Sequence, residues 1–151
     1  MSFEISVVSN TPLTPLNDLD EVLSIFLAEI GYISPGYTPR NDAADVESSI
    51  PFRIFRDYFL LRAGRPWIVD EIAVDIGATK ATVYRHINKL KGLDILEEVY
   101  IEREGQRKKG YRIRYGNISK AWNFTESNIQ AAMESYRKTV DHIQKLTELK
   151  K

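Results

Sequence analysis

The chain has 151 residues, 43% of them apolar, no cysteine and a formal net charge of zero. That composition can form a core and excludes global disorder, and the missing cysteines exclude disulfides and thiolate metal sites, which fits a cytoplasmic protein. No apolar run reaches the ~18 residues of a membrane span, and the N-terminus lacks the basic-then-apolar pattern of a secretory signal.

The zero net charge hides a strong asymmetry. Residues 1–50 hold eight acids and only Arg40 as a base, residues 51–116 hold 14 bases and nine acids, and residues 117–151 hold six bases and four acids. The middle segment is therefore the basic one, and a local basic face matters more for binding nucleic acid than the whole-chain balance. Three parts are expected: an acidic N-terminal extension with one helix (1–50), a basic module (51–116) and a C-terminal helix (117–151).

The first 15 residues, with Pro12 and Pro15 in Ser/Asn/Thr context, read as loosely structured. A helix follows, capped by Asn17 with acids in its first turn and ended by Gly31. Its apolar stripe is Leu19, Val22, Leu23, Phe26 and Ile30. Tyr32–Pro39 reads as a turn-rich linker, and Asn41–Ser48 as a second, short acidic helix. Pro51 opens a helix that buries Ile54, Phe55, Tyr58, Phe59 and Leu61 and stops at Gly64-Arg65-Pro66.

From Trp67 the order becomes helix, turn, helix, hairpin. Ile72, Ala73 and Ile76 stripe a first helix that ends at Gly77. Thr79 caps a second helix that stops at Gly92, with Val83, Ile87 and Leu90 as its buried stripe. At roughly 100° per residue the opposite face carries Ala81, Thr82, Tyr84, Arg85, Asn88 and Lys89, with no acid. Arg pairs bidentately with guanine and Asn with adenine, and Thr or Ala meets a thymine methyl. Ala81, Thr82, Tyr84, Arg85 and Asn88 are thus the candidate base contacts. Tyr84 has two readings, stacking at the DNA or covering the helix edge. His86 lies beside the buried stripe and reads as structural.

Strands are expected over Val99–Arg103 and Tyr111–Tyr115, joined by a loop from Glu104 to Gly110 with Arg107, Lys108 and Lys109 at its tip. A cationic tip suits phosphate. Thr79, Lys80, Lys89, Arg107, Lys108 and Lys109 are the candidate backbone contacts.

Residues from about Phe52 to Tyr115 resemble the winged-helix domains of prokaryotic transcription regulators, of the broad MarR/ArsR type. The resemblance rests on Asp70-Glu71-Ile72-Ala73, Ile76-Gly77, the run Thr79 to Ile87, and Leu90-Lys91-Gly92-Leu93. It covers well under half the chain. Two departures are Ile68, where Ser or Thr would usually cap the first helix, and Gly92–Leu96, where an extra apolar residue blurs the entry to the first strand. The resemblance implies a second helix entering a DNA major groove while the hairpin touches backbone.

The C-terminal element reads as a helix from Thr125 towards Leu149, with Trp122 and Phe124 as core anchors at its entrance. Ile129, Met133, Tyr136, Val140 and Ile143 recur at spacings of 4 and 3, a heptad-like seam. It either packs on the N-terminal helix or makes a homodimer. The dimer is the favoured reading, because one such module reads only a short half-site.

The fold class is mainly α with a small antiparallel β-hairpin (α+β), a winged helix-turn-helix with N- and C-terminal helices. The expected function is sequence-specific double-stranded DNA binding as a homodimeric transcription regulator. The alternative is a winged-helix adaptor that binds another protein within a transcription or replication assembly. No phosphate-cradling glycine loop, nucleophile motif or metal-ligand spacing is present, so an enzyme, a metal and a cofactor are not expected. Room for a small-molecule effector would lie between the winged helix and the terminal helices.

Overall fold

A computed structural model describes residues 2–8, 12–33 and 49–151. The acidic helix expected over Asn41–Ser48 lies outside the described residues, as does most of the linker expected over Tyr32–Pro39. The molecule is mainly helical with a small antiparallel sheet, as the sequence predicts.

Helix α1 (Leu19–Glu29) is capped by Asp18, not Asn17: the Asp18 carboxylate accepts from the Glu21 N–H at 2.9 Å. Its buried stripe is Leu23, Leu27 and Ile30; Leu19 is 46% exposed, because it is the first helical residue and projects past the core. Residues 2–8 form no regular element, yet they are tied down. The Glu4 N–H donates to the Gly92 carbonyl at 2.9 Å and the Ser6 N–H to that of Ile30 at 3.1 Å.

Helix α2 (Ile50–Arg53), with Pro51 in its first turn, continues as a π-helix over Ile54–Leu60. The wider winding turns Ile54, Phe55, Tyr58 and Phe59 inward together. Leu61, expected in the core, is 60% exposed, because the helix has ended and the chain is already turning.

A two-residue strand β1 (Trp67–Ile68) leads into α3 (Val69–Ile76). Ile68 offers no capping side chain, but the Glu71 carboxylate accepts from its N–H at 3.1 Å and is held by Arg65 at 2.7 Å. The helix therefore starts cleanly despite the missing Ser or Thr. Gly77, at φ +76°, makes the left-handed turn. Helix α4 (Lys80–Gly92) follows, and Val83, Ile87 and Leu90 are fully buried.

Strands β2 (Leu96–Arg103) and β3 (Gln106–Ile113) form a long hairpin, and β1 pairs with β3 to give the order β1-β3-β2. Tyr115, expected in the second strand, sits instead in a 3-10 turn at φ +61° and is exposed. Helix α5 (Ile118–Leu149) begins well before Thr125, capped by Asn117, whose side chain accepts from the Lys120 N–H at 3.0 Å. Its 32 residues span about 48 Å.

One buried cluster joins α1, the π-helix, α3, α4, the sheet and Ala121 of α5. The base of α5 is fastened to the turn after α4. The buried Thr125 hydroxyl donates to the Leu93 carbonyl at 2.8 Å, and Asp94 accepts from both Arg114 (2.6 Å) and Asn128 (2.8 Å). Trp122 packs edge-on against Phe26, whereas Phe124 lies at the rim, 36% exposed, against Tyr115. Past that base the helix leaves the head.

Candidate nucleic-acid interface

Helix α4 is built to present one face. Its first turn is set by Thr79, whose hydroxyl oxygen accepts from the Thr82 N–H at 3.1 Å and whose hydroxyl proton goes to the Thr82 oxygen at 2.9 Å. Thr82 is half-buried, and its hydroxyl oxygen is already engaged by Thr79. Ala81, Tyr84, Arg85, Asn88 and Lys89 are all exposed, with Tyr84 46% accessible. Arg85 and Lys89 have no ion-pair partner among the described residues.

Asn88 and Lys89 differ in setting from the first two turns. They border an open cleft of about 430 Å³ between the end of α4, residues 2–6 and the end of α1. Ala81, Thr82, Tyr84 and Arg85 stand on the N-terminal part of the helix, the part that reaches base edges in helix-turn-helix docking.

Behind this face lies His86, 8% exposed, with its Nδ1 lacking a hydrogen-bond partner. Burial, then the nearby Arg85 and Lys89 charges, lowers its pKa to about 4. It is a neutral packing group at pH 7, edge-on to the Tyr32 ring at 6.3 Å.

The hairpin departs from expectation. The seven-residue loop Glu104–Gly110 does not exist. The turn is Glu104-Gly105, both at positive φ (+54° and +75°), a two-residue turn of the type that matches strand twist. Arg107, Lys108 and Lys109 are consequently strand residues of β3. Side chains alternate along a strand, so the three cations cannot cluster at one tip. Arg107 and Lys109 share a face with their cross-strand neighbours Glu102 and Tyr100; Lys108 points the other way, beside Ile101.

Each of the three has a partner. Arg107 stacks over Tyr100, 4.2 Å from the ring centre. Lys109 lies 3.6 Å from Glu98, which also binds Lys91 at 2.5 Å. These contacts, the Lys91 hydrogen bond foremost, hold the Glu98 carboxyl below its ordinary range. Lys108 reaches Asp70 at 3.6 Å, and Asp70 also meets Lys80 at 3.4 Å. Asp70 thus bridges the start of α4 to the hairpin. Asp70, Glu71, Glu97 and Glu98 each hold a cation: Lys108, Arg65, Arg112 and Lys109 respectively. A Glu-Gly hairpin turn, once recognised, would have set the β2–β3 register and put Glu98 near Lys109.

The expected seam residues sit on the free half of α5. Ile129 is half-buried near the head, while Met133, Tyr136, Val140 and Ile143 are 53–65% exposed. Among the described residues, α5 meets α1 at its base, where Trp122 packs on Phe26, and Met133, Tyr136, Val140 and Ile143 of the seam are exposed rather than packed on α1.

Among the described residues, no helix is long and apolar enough to cross a membrane. No protein-family model, curated protein or solved structure matches the chain.

Proposed function

We propose that this protein binds double-stranded DNA through α4 and regulates transcription as a homodimer. The observation that supports this best is the exposed face of α4. It carries Ala81, Tyr84 and Arg85 with no acid among them, set on a helix whose other side is locked by three fully buried residues. Such a helix is rigid enough to hold base-edge donors in register, and Arg85 is the group that would pair with guanine. Lys80, Lys89 and the hairpin cations supply the phosphate side. The ion pairs of Lys80, Lys108 and Lys109 are partly exposed, so a DNA phosphate can displace Asp70 or Glu98, with the loss of those pairings set against the gain.

A second reading, an adaptor that binds another protein, is favoured by the same ion pairs, since a hairpin already neutralised by Asp70 and Glu98 needs no phosphate. Titration of the full-length protein with random duplex DNA at several salt concentrations separates the two. Binding that weakens steeply with salt supports the DNA reading. No binding even at low salt supports the adaptor.

A further inference from the structure

The free half of α5 ends in charge. In the heptad frame of the seam, Glu126 and Lys150 occupy the same two positional classes as the apolar residues between them. Glu126 is in line with Met133, Val140 and Thr147, and Lys150 with Ile129, Tyr136 and Ile143. Both are exposed, and neither has an ion-pair partner among the described residues. This decides between the two ways in which a second copy can cover the seam.

In a parallel, in-register pair each residue meets its own copy. Glu126 would face Glu126 and Lys150 would face Lys150 at the two ends of the seam, and the two Tyr136 rings would have to share one layer. In an antiparallel pair centred beside Lys138 the mismatches vanish. Glu126 faces the partner's Lys150, Ile129 the partner's Thr147, Met133 the partner's Ile143, and Tyr136 the partner's Val140. In two of these layers a larger side chain meets a smaller one, Tyr136 with valine and Ile129 with threonine, which suits close packing. The flank agrees: small Ala132 lies beside the partner's Leu146, itself 47% exposed in the single chain. One contact opposes this arrangement, since Arg137 approaches its own copy near the two-fold axis. Each guanidinium, however, has Asp141 of its own helix at 3.8 Å.

We infer that the exposed seam of α5 is covered by the same helix of a second copy running antiparallel, in the register that sets Glu126 against the partner's Lys150. This rests on the homodimer reading and specifies it. The two Thr125 anchor points then lie about 39 Å apart along the paired helices, from ~1.5 Å of rise per residue. The two heads sit at opposite ends, not side by side.

The absence of native cysteine makes the test clean. Met133→Cys and Ile143→Cys are made singly and together in the full chain, oxidised mildly, and run on non-reducing gels beside light scattering. The expected result is a covalent dimer from the double variant, and from a mixture of the two singles, with each single alone staying uncrosslinked. Within one helix the two positions are about 15 Å apart and cannot bridge. Covalent dimer from Ile143→Cys alone would show a parallel pair and overturn the register while leaving the homodimer reading intact. Monomer mass for the parent, with no cross-link in any variant, would overturn both, and DNA titration of that monomer would still judge the DNA reading separately. Charge exchange guards against misfolded cysteine variants. Glu126→Lys should weaken dimerisation about 3-fold to 10-fold, the scale of exposed ion pairs, and Glu126→Lys with Lys150→Glu should restore it. No rescue would overturn the register.

Discussion

Arg85 and Lys89 of α4 look equivalent in the sequence to the cations of the hairpin and are not equivalent to them in the structure. Arg85 and Lys89 stand on a helix face with no ion-pair partner among the described residues. Lys108 and Lys109 each lie 3.6 Å from a carboxylate, and Arg107 is laid on a tyrosine ring. A cation that must leave a carboxylate to meet a phosphate gains only the difference between two pairings. The lesson is that a run of basic residues measures charge, whereas its contribution to binding depends on what already neutralises it. The α4 side should dominate affinity and carry all the specificity, and the hairpin should contribute a weaker, sequence-blind share.

The largest expected effect is on α4. Arg85→Ala should cost about 1–3 kcal/mol at a specific site and relax base preference at one position. Site selection from random duplexes by parent and variant checks this; an unchanged preference would show that another residue reads the DNA.

The helix side can also be probed from behind. The folded pKa of His86 is about 4, below its ordinary 6.5, so the unfolded chain takes up the proton first. Its contribution to stability is complete above about pH 6.5 and is lost as pH falls towards 4, on the order of 1–3 kcal/mol in all. Urea unfolding of parent and His86→Leu at pH 7 and pH 5 should show the parent losing more stability on acidification. Equal losses would mean that His86 is not held neutral by the fold.

On the hairpin side, changing Arg107, Lys108 and Lys109 together to Ala should flatten the salt dependence of DNA binding. The change in the log–log slope should be less than about 0.9 per cation, because two of the three already have carboxylate partners. Specific and random duplexes should weaken alike. A full 0.9 per cation would erase the distinction between helix and hairpin. The smallest effect, and the most telling in sign, belongs to Asp70→Asn. Freeing Lys80 and Lys108 should tighten random-duplex binding about 2-fold to 5-fold, the scale of one or two exposed pairs. Weaker binding would show that Asp70 positions these lysines and does not compete for them.

Much of the head was legible before folding. The stripe Val83, Ile87 and Leu90, the Thr79 cap and the Gly77 turn are local signals, and each sits where its spacing puts it. The hairpin was misread because Glu104-Gly105 is an unobtrusive two-residue turn, while three cations in a row suggest a loop. A loop running from Glu104 to Gly110 hides the cross-strand pairing of Tyr100 with Lys109. Gly110 serves a different purpose, since a Cβ there would come within 3.2 Å of Pro66. The early start of α5 was missed because Thr125 resembles a cap. Its hydroxyl is spent on a carbonyl 32 residues away, and no local pattern announces such a contact. The candidate interface shares this limit: which face Arg85 occupies follows from helical period, but the acids beside the lysines follow from tertiary packing.

That distant contact has a consequence for how the molecule would discriminate among DNA sites. Leu93 and Asp94, directly after α4, are gripped by Thr125 and Asn128 at the foot of α5 and by Arg114 in the turn before it. Helix α4 and the long helix α5 therefore share one hydrogen-bonded joint. A molecule built this way behaves as a caliper. Two such heads held at a fixed span would accept half-sites at one separation and reject the same sequences moved by a few base pairs, so spacing itself would become part of what is recognised. Loosening the joint, as Thr125→Val would by leaving the Leu93 carbonyl unpaired, should broaden the tolerated separations before it abolishes binding to either half-site alone.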